Sequence, residues 1–130
     1  MIWNKKKIPN ILSHTKYILY LHGGAFCYGN TNTIKKFLSI IAYKTNSVLM
    51  SVDYRMAPEN KHPIPLNDCV EAYTILINSI NLELKPTIIV MGDSAGGNLV
   101  AALTNLLIEW GFRKPEGIVL VYPALNLSYL

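Results

Sequence analysis

The sequence predicts an α/β fold, a doubly wound and mainly parallel sheet of about four strands flanked by helices. Four short apolar runs, at 17–21, 47–52, 87–91 and 117–122, are nearly continuous rather than alternating. Such runs suit strands covered on both faces, as in a parallel sheet. Segments of helical period separate them, and right-handed crossovers then distribute the helices over the two faces.

The first run, Tyr17 to Leu21, ends at His22-Gly23-Gly24, a turn signal. Ile34, Phe37, Leu38, Ile41 and Ala42 follow at i, i+3, i+4, i+7 and i+8, one face of a helix, with N-cap candidates from Asn30 to Thr33. After the second run, Ser47 to Val52, the same period returns in Leu66, Cys69, Val70, Tyr73, Leu76, Ile77 and Ile80. Asn67 is the cap candidate there, with Asp68 and Glu71 in the favourable first turn. After the third run, Thr87 to Met91, the stretch from Ala95 to Trp110 is apolar almost all round and stops at Gly111, which predicts the most buried helix. The last run, Gly117 to Tyr122, reads as a central strand with nothing after it to pair its outer side. Unpaired apolar edges attract other strands, so this run is expected to meet strands from a continuation of the chain or to self-associate with a second copy.

A length of 130 residues suits one domain, with 1–14 peripheral and 15–130 as the core. The chain is 51% hydrophobic and 15% charged, against about 25% charged in average soluble domains. That leaves little charge to coat a complete surface. The basic excess, twelve Lys and Arg over eight Asp and Glu, sits mainly in Lys5 to Lys7 and Lys35-Lys36. No basic stripe interleaved with aromatics results, which argues against nucleic-acid binding. Cys27 and Cys69 lie far apart without C-x-x-C spacing, so reduced thiols are expected, with no metal site and Cys27 as a small buried thiol. The uncharged stretch from Ser94 to Ile108 is too short to span a bilayer, and the N-terminal apolar stretch is broken by Pro9, Asn10, Ser13, His14 and Lys16. No integral membrane segment or signal peptide is therefore expected, and the compartment is cytoplasmic by default.

Gly92-Asp93-Ser94-Ala95-Gly96 directly follows the third run and opens the most apolar helix. This is G-x-S-x-G in a strand-turn-helix setting, where small residues on both sides let the chain turn sharply and lift a serine hydroxyl above the sheet. Chance would give about 0.04 such matches in a chain of this length, with Gly and Ser at about 7% each. The competing reading is a Gly-rich βα turn that holds phosphate, but neither G-x-x-x-x-G-K-[ST] nor G-x-G-x-x-G is present. His22-Gly23-Gly24-Ala25-Phe26 ends the first run, which should lie beside the third at the carboxyl edge where ligands bind. Amides of a Gly-Gly turn, with that of Ala95, would donate to the oxyanion of a tetrahedral intermediate.

With these two motifs, Asp53-Tyr-Arg-Met-Ala-Pro-Glu59 and the following Pro63, Asp68 and Cys69, the chain resembles the hormone-sensitive-lipase-like branch of the α/β-hydrolase esterases from about Tyr17 to Ser128. The resemblance implies a partial α/β-hydrolase fold, Ser94 as nucleophile, and Gly23, Gly24 and Ala95 as oxyanion-hole donors. The family often has a third glycine where Ala25 stands. Tyr54, Arg55 and Glu59 match positions that brace loops beside the site, His22 is expected to brace its own loop, and Phe26 and Tyr28 either line an acyl or alcohol pocket or belong to the core. No metal or organic cofactor is implied, and the partner is a small-molecule ester.

A serine hydroxyl needs a histidine to take its proton and an acid to orient that histidine. In this fold both follow the serine in the chain. After Ser94 there is neither histidine nor aspartate; Glu109 and Glu116 flank the last helix, and His14, His22 and His62 all precede the serine. The expectation is thus the nucleophile half of a serine carboxylesterase, inactive alone, with acid and base in a missing C-terminal half. The rival expectations are a non-catalytic ligand-binding protein, as in the gibberellin receptors that resemble the same family, and an inactive truncated product.

Overall fold

The computed structural model describes residues 2–3 and 15–128. Five strands, β1 (Ile2–Trp3), β2 (Lys16–Leu21), β3 (Val48–Val52), β4 (Thr87–Asp93) and β5 (Gly117–Val121), form one sheet in the order β1-β3-β2-β4-β5. The pairs β3-β2, β2-β4 and β4-β5 are parallel, while β1 pairs antiparallel with β3 through Ile2–Met50 and Trp3–Leu49. Four parallel strands fall where the apolar runs lie. The short β1 lies within the stretch read as peripheral and adds an antiparallel edge to the sheet; two residues carry too little periodicity to be seen in a sequence.

Helix α1 (Thr31–Thr45) begins at Asn30, whose side chain accepts from the Thr33 amide, and ends at Asn46 in the left-handed conformation. These are the cap and the stop that short amide side chains supply. Its Leu38 and Ala42 pack with Ile18, Tyr20 and Leu49 on one face of the sheet. Phe37, expected on the buried face, is half exposed and meets Tyr20 edge-on at 6.4 Å. Helix α2 (Ile64–Ser79) starts earlier than its Asn67 candidate cap, with Pro63 in the capping position and Pro65 in the first turn. Proline is preorganised for that turn because its missing N–H would be unpaired there anyway. The Pro signal overrides the Asn signal.

Helix α3 (Ala95–Glu109) buries Ala95, Gly96, Gly97, Leu99, Val100, Leu103 and Leu107, more than either other helix. With α2 it covers the other sheet face, packing on Tyr17, Leu19, Leu21, Ile88 and Val90. Removing a fully buried leucine from this cluster, such as Leu19 or Leu103, is expected to cost about 2–5 kcal/mol. A 3₁₀ turn at Leu82–Leu84 leads into β4.

Strand β5 stands at the edge of this sheet. Its Ile118 and Val119 are about two-fifths exposed. No helix among the described residues is long and apolar enough to cross a membrane.

Candidate active site

Ser94 alone connects β4 to α3, with φ 51° and ψ −117°. A side-chain-bearing residue with positive φ is strained by about 1–3 kcal/mol and persists only where its surroundings enforce it. Here the enforcement is visible. The Ser94 amide donates to the Val121 carbonyl (3.0 Å), and the Ser94 carbonyl accepts from Asn98 (3.1 Å) and Ala124 (3.0 Å). The end of β5 thereby clamps the turn. The two motif glycines close it from inside: a Cβ on Gly92 would lie 2.6 Å from the Gly96 carbonyl, and one on Gly96 would collide with the Leu21 carbonyl of β2. The half-buried Ser94 hydroxyl makes no hydrogen bond within the described residues.

The 22–29 loop leaves the end of β2, which is the neighbour of β4. The Gly23 amide donates to Asp93 Oδ1 (3.0 Å), and the Tyr20 hydroxyl donates to the same oxygen (2.6 Å). Burial, followed by the bond to Asp93, pushes the Tyr20 phenol well above its ordinary value, so it remains a donor. The loop then turns back on the Gly24 carbonyl, which accepts from the Cys27 (2.9 Å) and Tyr28 (3.0 Å) amides. Gly24 has φ 126°, and a Cβ there would overlap the Tyr28 carbonyl. Ala25 and Phe26 follow with φ 52° and 63°. The absent third glycine thus falls at a left-handed position that alanine occupies under strain.

Of the three amides expected to act as donors, one is engaged. Gly23 is committed to Asp93 and is not a free donor, whereas the amides of Gly24, Ala25 and Ala95 have no acceptor within the described residues. Asp93, the residue before Ser94, ties the loop to the turn. The register holds the signal for that role, since Tyr20 pairs with Met91, two residues before Asp93 on the same sheet face.

The D-Y-R segment braces the loop from behind. The buried Tyr54 hydroxyl donates to the His22 carbonyl (2.6 Å), and its ring stacks on the His22 imidazole at 4.4 Å. Asp53 accepts from the Thr31 amide at the start of α1 (2.7 Å). Arg55 grips Asp68 of α2 through Nε (3.0 Å) and Nη2 (2.7 Å). Glu59, expected to brace as well, is exposed and has no hydrogen bond or ion pair among the described residues.

A cavity of about 520 Å³ opens beside the loop, walled by Ala25, Phe26, His62, Leu66, Asn98 and Leu99 among others. Asn98 stands one helical turn after Ser94, and Ala25 next to Gly24, so the cavity adjoins the turn and the loop together. Phe26 lines it and also packs on the core. Tyr28 does not line it: its side chain is exposed and the residue contributes its backbone to the Gly24 turn.

No histidine of the described residues hydrogen-bonds Ser94. His22 is turned to its own loop and His62 stands at the cavity wall; His14 lies outside the described residues. Cys27 is exposed, contrary to the expectation of a buried thiol, because the left-handed turn carries it outward. Cys69 is buried, and burial pushes its thiol up to about 12. Among the described residues no group of three His, Cys, Asp or Glu side chains could hold a metal ion.

A family model described as alpha/beta hydrolase fold matches residues 18–129. An esterase of Acinetobacter venetianus is 35% identical over 117 residues, covering 89% of this chain and 38% of its own length. Human hormone-sensitive lipase is 34% identical over 113 residues, covering 85% of this chain and 10% of its own. Among solved structures, a hormone-sensitive-lipase homologue from a metagenome library, EstE7, superposes with a TM-score of 0.80 at 36% identity, over 89% of this chain and 39% of its own. The chain therefore spans well under half the length of each.

Proposed function

Because this chain belongs to the alpha/beta hydrolase fold family, in its hormone-sensitive-lipase-like branch, we propose that it forms the nucleophile half of a serine carboxylic-ester hydrolase. The observation that carries this reading is Ser94 itself, held at φ 51° between β4 and α3 with its hydroxyl unengaged and three free amides supplied by Gly24, Ala25 and Ala95. A strained serine presented beside unpaired donors is an arrangement built for an acyl group.

The mechanism follows from that arrangement. Ser94 Oγ attacks the ester carbonyl carbon and gives its proton to a histidine, while the carbonyl oxygen becomes an oxyanion facing the free amides. The tetrahedral intermediate collapses as the histidine returns the proton to the departing alcohol, which leaves the acyl group on Ser94. Water, deprotonated by the same histidine, releases the acid. That histidine and the acid that orients it belong to a part of the polypeptide outside these 130 residues. The cavity at Phe26 takes an apolar part of the ester.

Treating the natural polypeptide that contains these residues with a fluorophosphonate and mapping the adduct by mass spectrometry tests the reading. Phosphonylation of Ser94, lost in Ser94→Ala, supports it. An unlabelled Ser94 in a protein that nevertheless binds an ester saturably overturns it in favour of a ligand-binding role.

A further inference from the structure

The geometry points to His22 as the positioning residue that aims an oxyanion donor. The inference rests on the reading of Ser94 above and assigns the histidine of the loop a function of its own.

Consecutive peptide units of the loop are each fixed by named side chains. The unit between His22 and Gly23 is held at both ends, its carbonyl by the Tyr54 hydroxyl (2.6 Å) and its amide by Asp93 Oδ1 (3.0 Å). The unit between Gly23 and Gly24 is held at one end, where the Gly23 carbonyl lies 2.6 Å from His22 Nδ1. Its other end is the free Gly24 amide. A trans peptide is planar, with its C=O and N–H pointing in opposite directions, so whatever holds the Gly23 oxygen also sets the direction of the Gly24 N–H. His22 therefore aims that donor without touching the substrate.

The protonation pattern of the ring follows from the same contact. A carbonyl oxygen can only accept, so Nδ1 carries a hydrogen. In the neutral ring Nε2, buried and without a partner, is then the bare nitrogen. The ring itself cannot swing away: it is 2% exposed and stacks on Tyr54 at an interplanar angle of 11°. Gly29 leaves it room, since a Cβ there would lie 3.1 Å from Nδ1 and 2.8 Å from the Gly23 oxygen. Stack, hydrogen bond and glycine together permit one orientation of the Gly23-Gly24 peptide.

Two substitutions separate aiming from packing. His22→Phe keeps a ring to stack on Tyr54 and removes the donor. His22→Asn gives up the stack, yet its Nδ2 sits two bonds from Cβ, as Nδ1 does, and can donate to the Gly23 oxygen. In the natural polypeptide, kcat for a small ester is expected to fall about tenfold to a hundredfold in His22→Phe, with KM changed less than about twofold, and to recover largely in His22→Asn. Nitrogen-15 NMR of the wild-type imidazole in alkaline buffer should show a protonated Nδ1 and a bare Nε2. The Gly24 amide resonance should move in His22→Phe and return toward its wild-type position in His22→Asn. A protonated Nε2, an unmoved Gly24 amide, or equal loss of kcat in both variants overturns the inference. If Ser94 resists phosphonylation in the wild type, the esterase reading fails, and the two NMR readouts still decide whether His22 fixes the peptide.

Discussion

The Asp93 carboxylate and the Gly23 amide lie 3.0 Å apart, with the Tyr20 hydroxyl on the same carboxylate oxygen. The residue before Ser94 and the loop carrying the free amides are therefore bonded directly, although 70 positions separate them. The Ser94 turn and the 22–29 loop are tied together by this contact.

Asp93→Ala is expected to strand the Gly23 N–H and the Tyr20 hydroxyl in a half-buried site, at a cost of about 2–4 kcal/mol. Asp93→Asn keeps an acceptor oxygen for both and should cost about 1 kcal/mol. Urea denaturation of the two variants measures the difference. Equal stabilities would mean that the carboxylate does not hold the loop.

At Ser94 the backbone itself makes a prediction. With φ 51° and ψ −117°, any Cβ is strained by about 1–3 kcal/mol, while glycine accepts that region and gives up roughly 0.5–1 kcal/mol in unfolded-chain entropy. Ser94→Gly should thus be more stable than Ser94→Ala by about 1 kcal/mol. Thermal unfolding of the pair tests this, and Ala at or above Gly would show that the turn relaxes in solution.

The architecture was legible in the sequence because strand and helix signals are local and repeated: four apolar runs, three helices and a G-x-S-x-G turn fall where the sequence puts them, apart from the exposed Phe37 and the start of α2. What escaped it depends on register and on contacts distant in sequence. That Gly23 is occupied and Gly24 free follows from the Asp93 bond, which requires β2 and β4 to align Tyr20 with Met91. The sequence left Tyr28 open between a pocket wall and the core; its side chain is exposed, because the positive φ of Ala25 and Phe26 turns the chain outward before reaching it. The earlier start of α2 reflects two adjacent signals in competition, which Pro63 and Pro65 win over Asn67.

Ala25 offers a cleaner measure of loop strain, because its side chain is small and exposed. At φ 52° an L-residue is disfavoured by about 1–2 kcal/mol, and glycine recovers this less about 0.4–1 kcal/mol of chain entropy. Ala25→Gly is expected to raise stability by about 0.5–1 kcal/mol, and Ala25→Val to lower it by more than about 1 kcal/mol through β-branching. The order Gly, Ala, Val in denaturation midpoints is the test. A reversed order would place Ala25 outside the left-handed region.

The pH dependence of stability is set in part by two carboxylates, Asp68 of α2 and Glu116 ahead of β5. The Arg55 hydrogen bonds hold Asp68 below its ordinary range, against an opposing effect of burial. At Glu116 burial acts upward, but the bonds from Arg113 and the Ile88 amide (2.7 Å each) outweigh it, and the net direction is again down. A carboxylate whose folded pKa lies below its unfolded value of about 4 stabilises the fold above that value. The contribution disappears as pH falls through the folded pKa. Asp68→Asn and Glu116→Gln should therefore melt below the parent at neutral pH and converge with it in strong acid. Because Arg55 is largely exposed, the Asp68 gap should be that of a surface pair and should shrink in high salt. Glu116 also accepts from the Ile88 amide at the start of β4, but its side chain is itself about two-fifths exposed, so its gap too should shrink in high salt. A pH-independent difference in either variant would show that the charge plays no part and that lost packing alone is being measured.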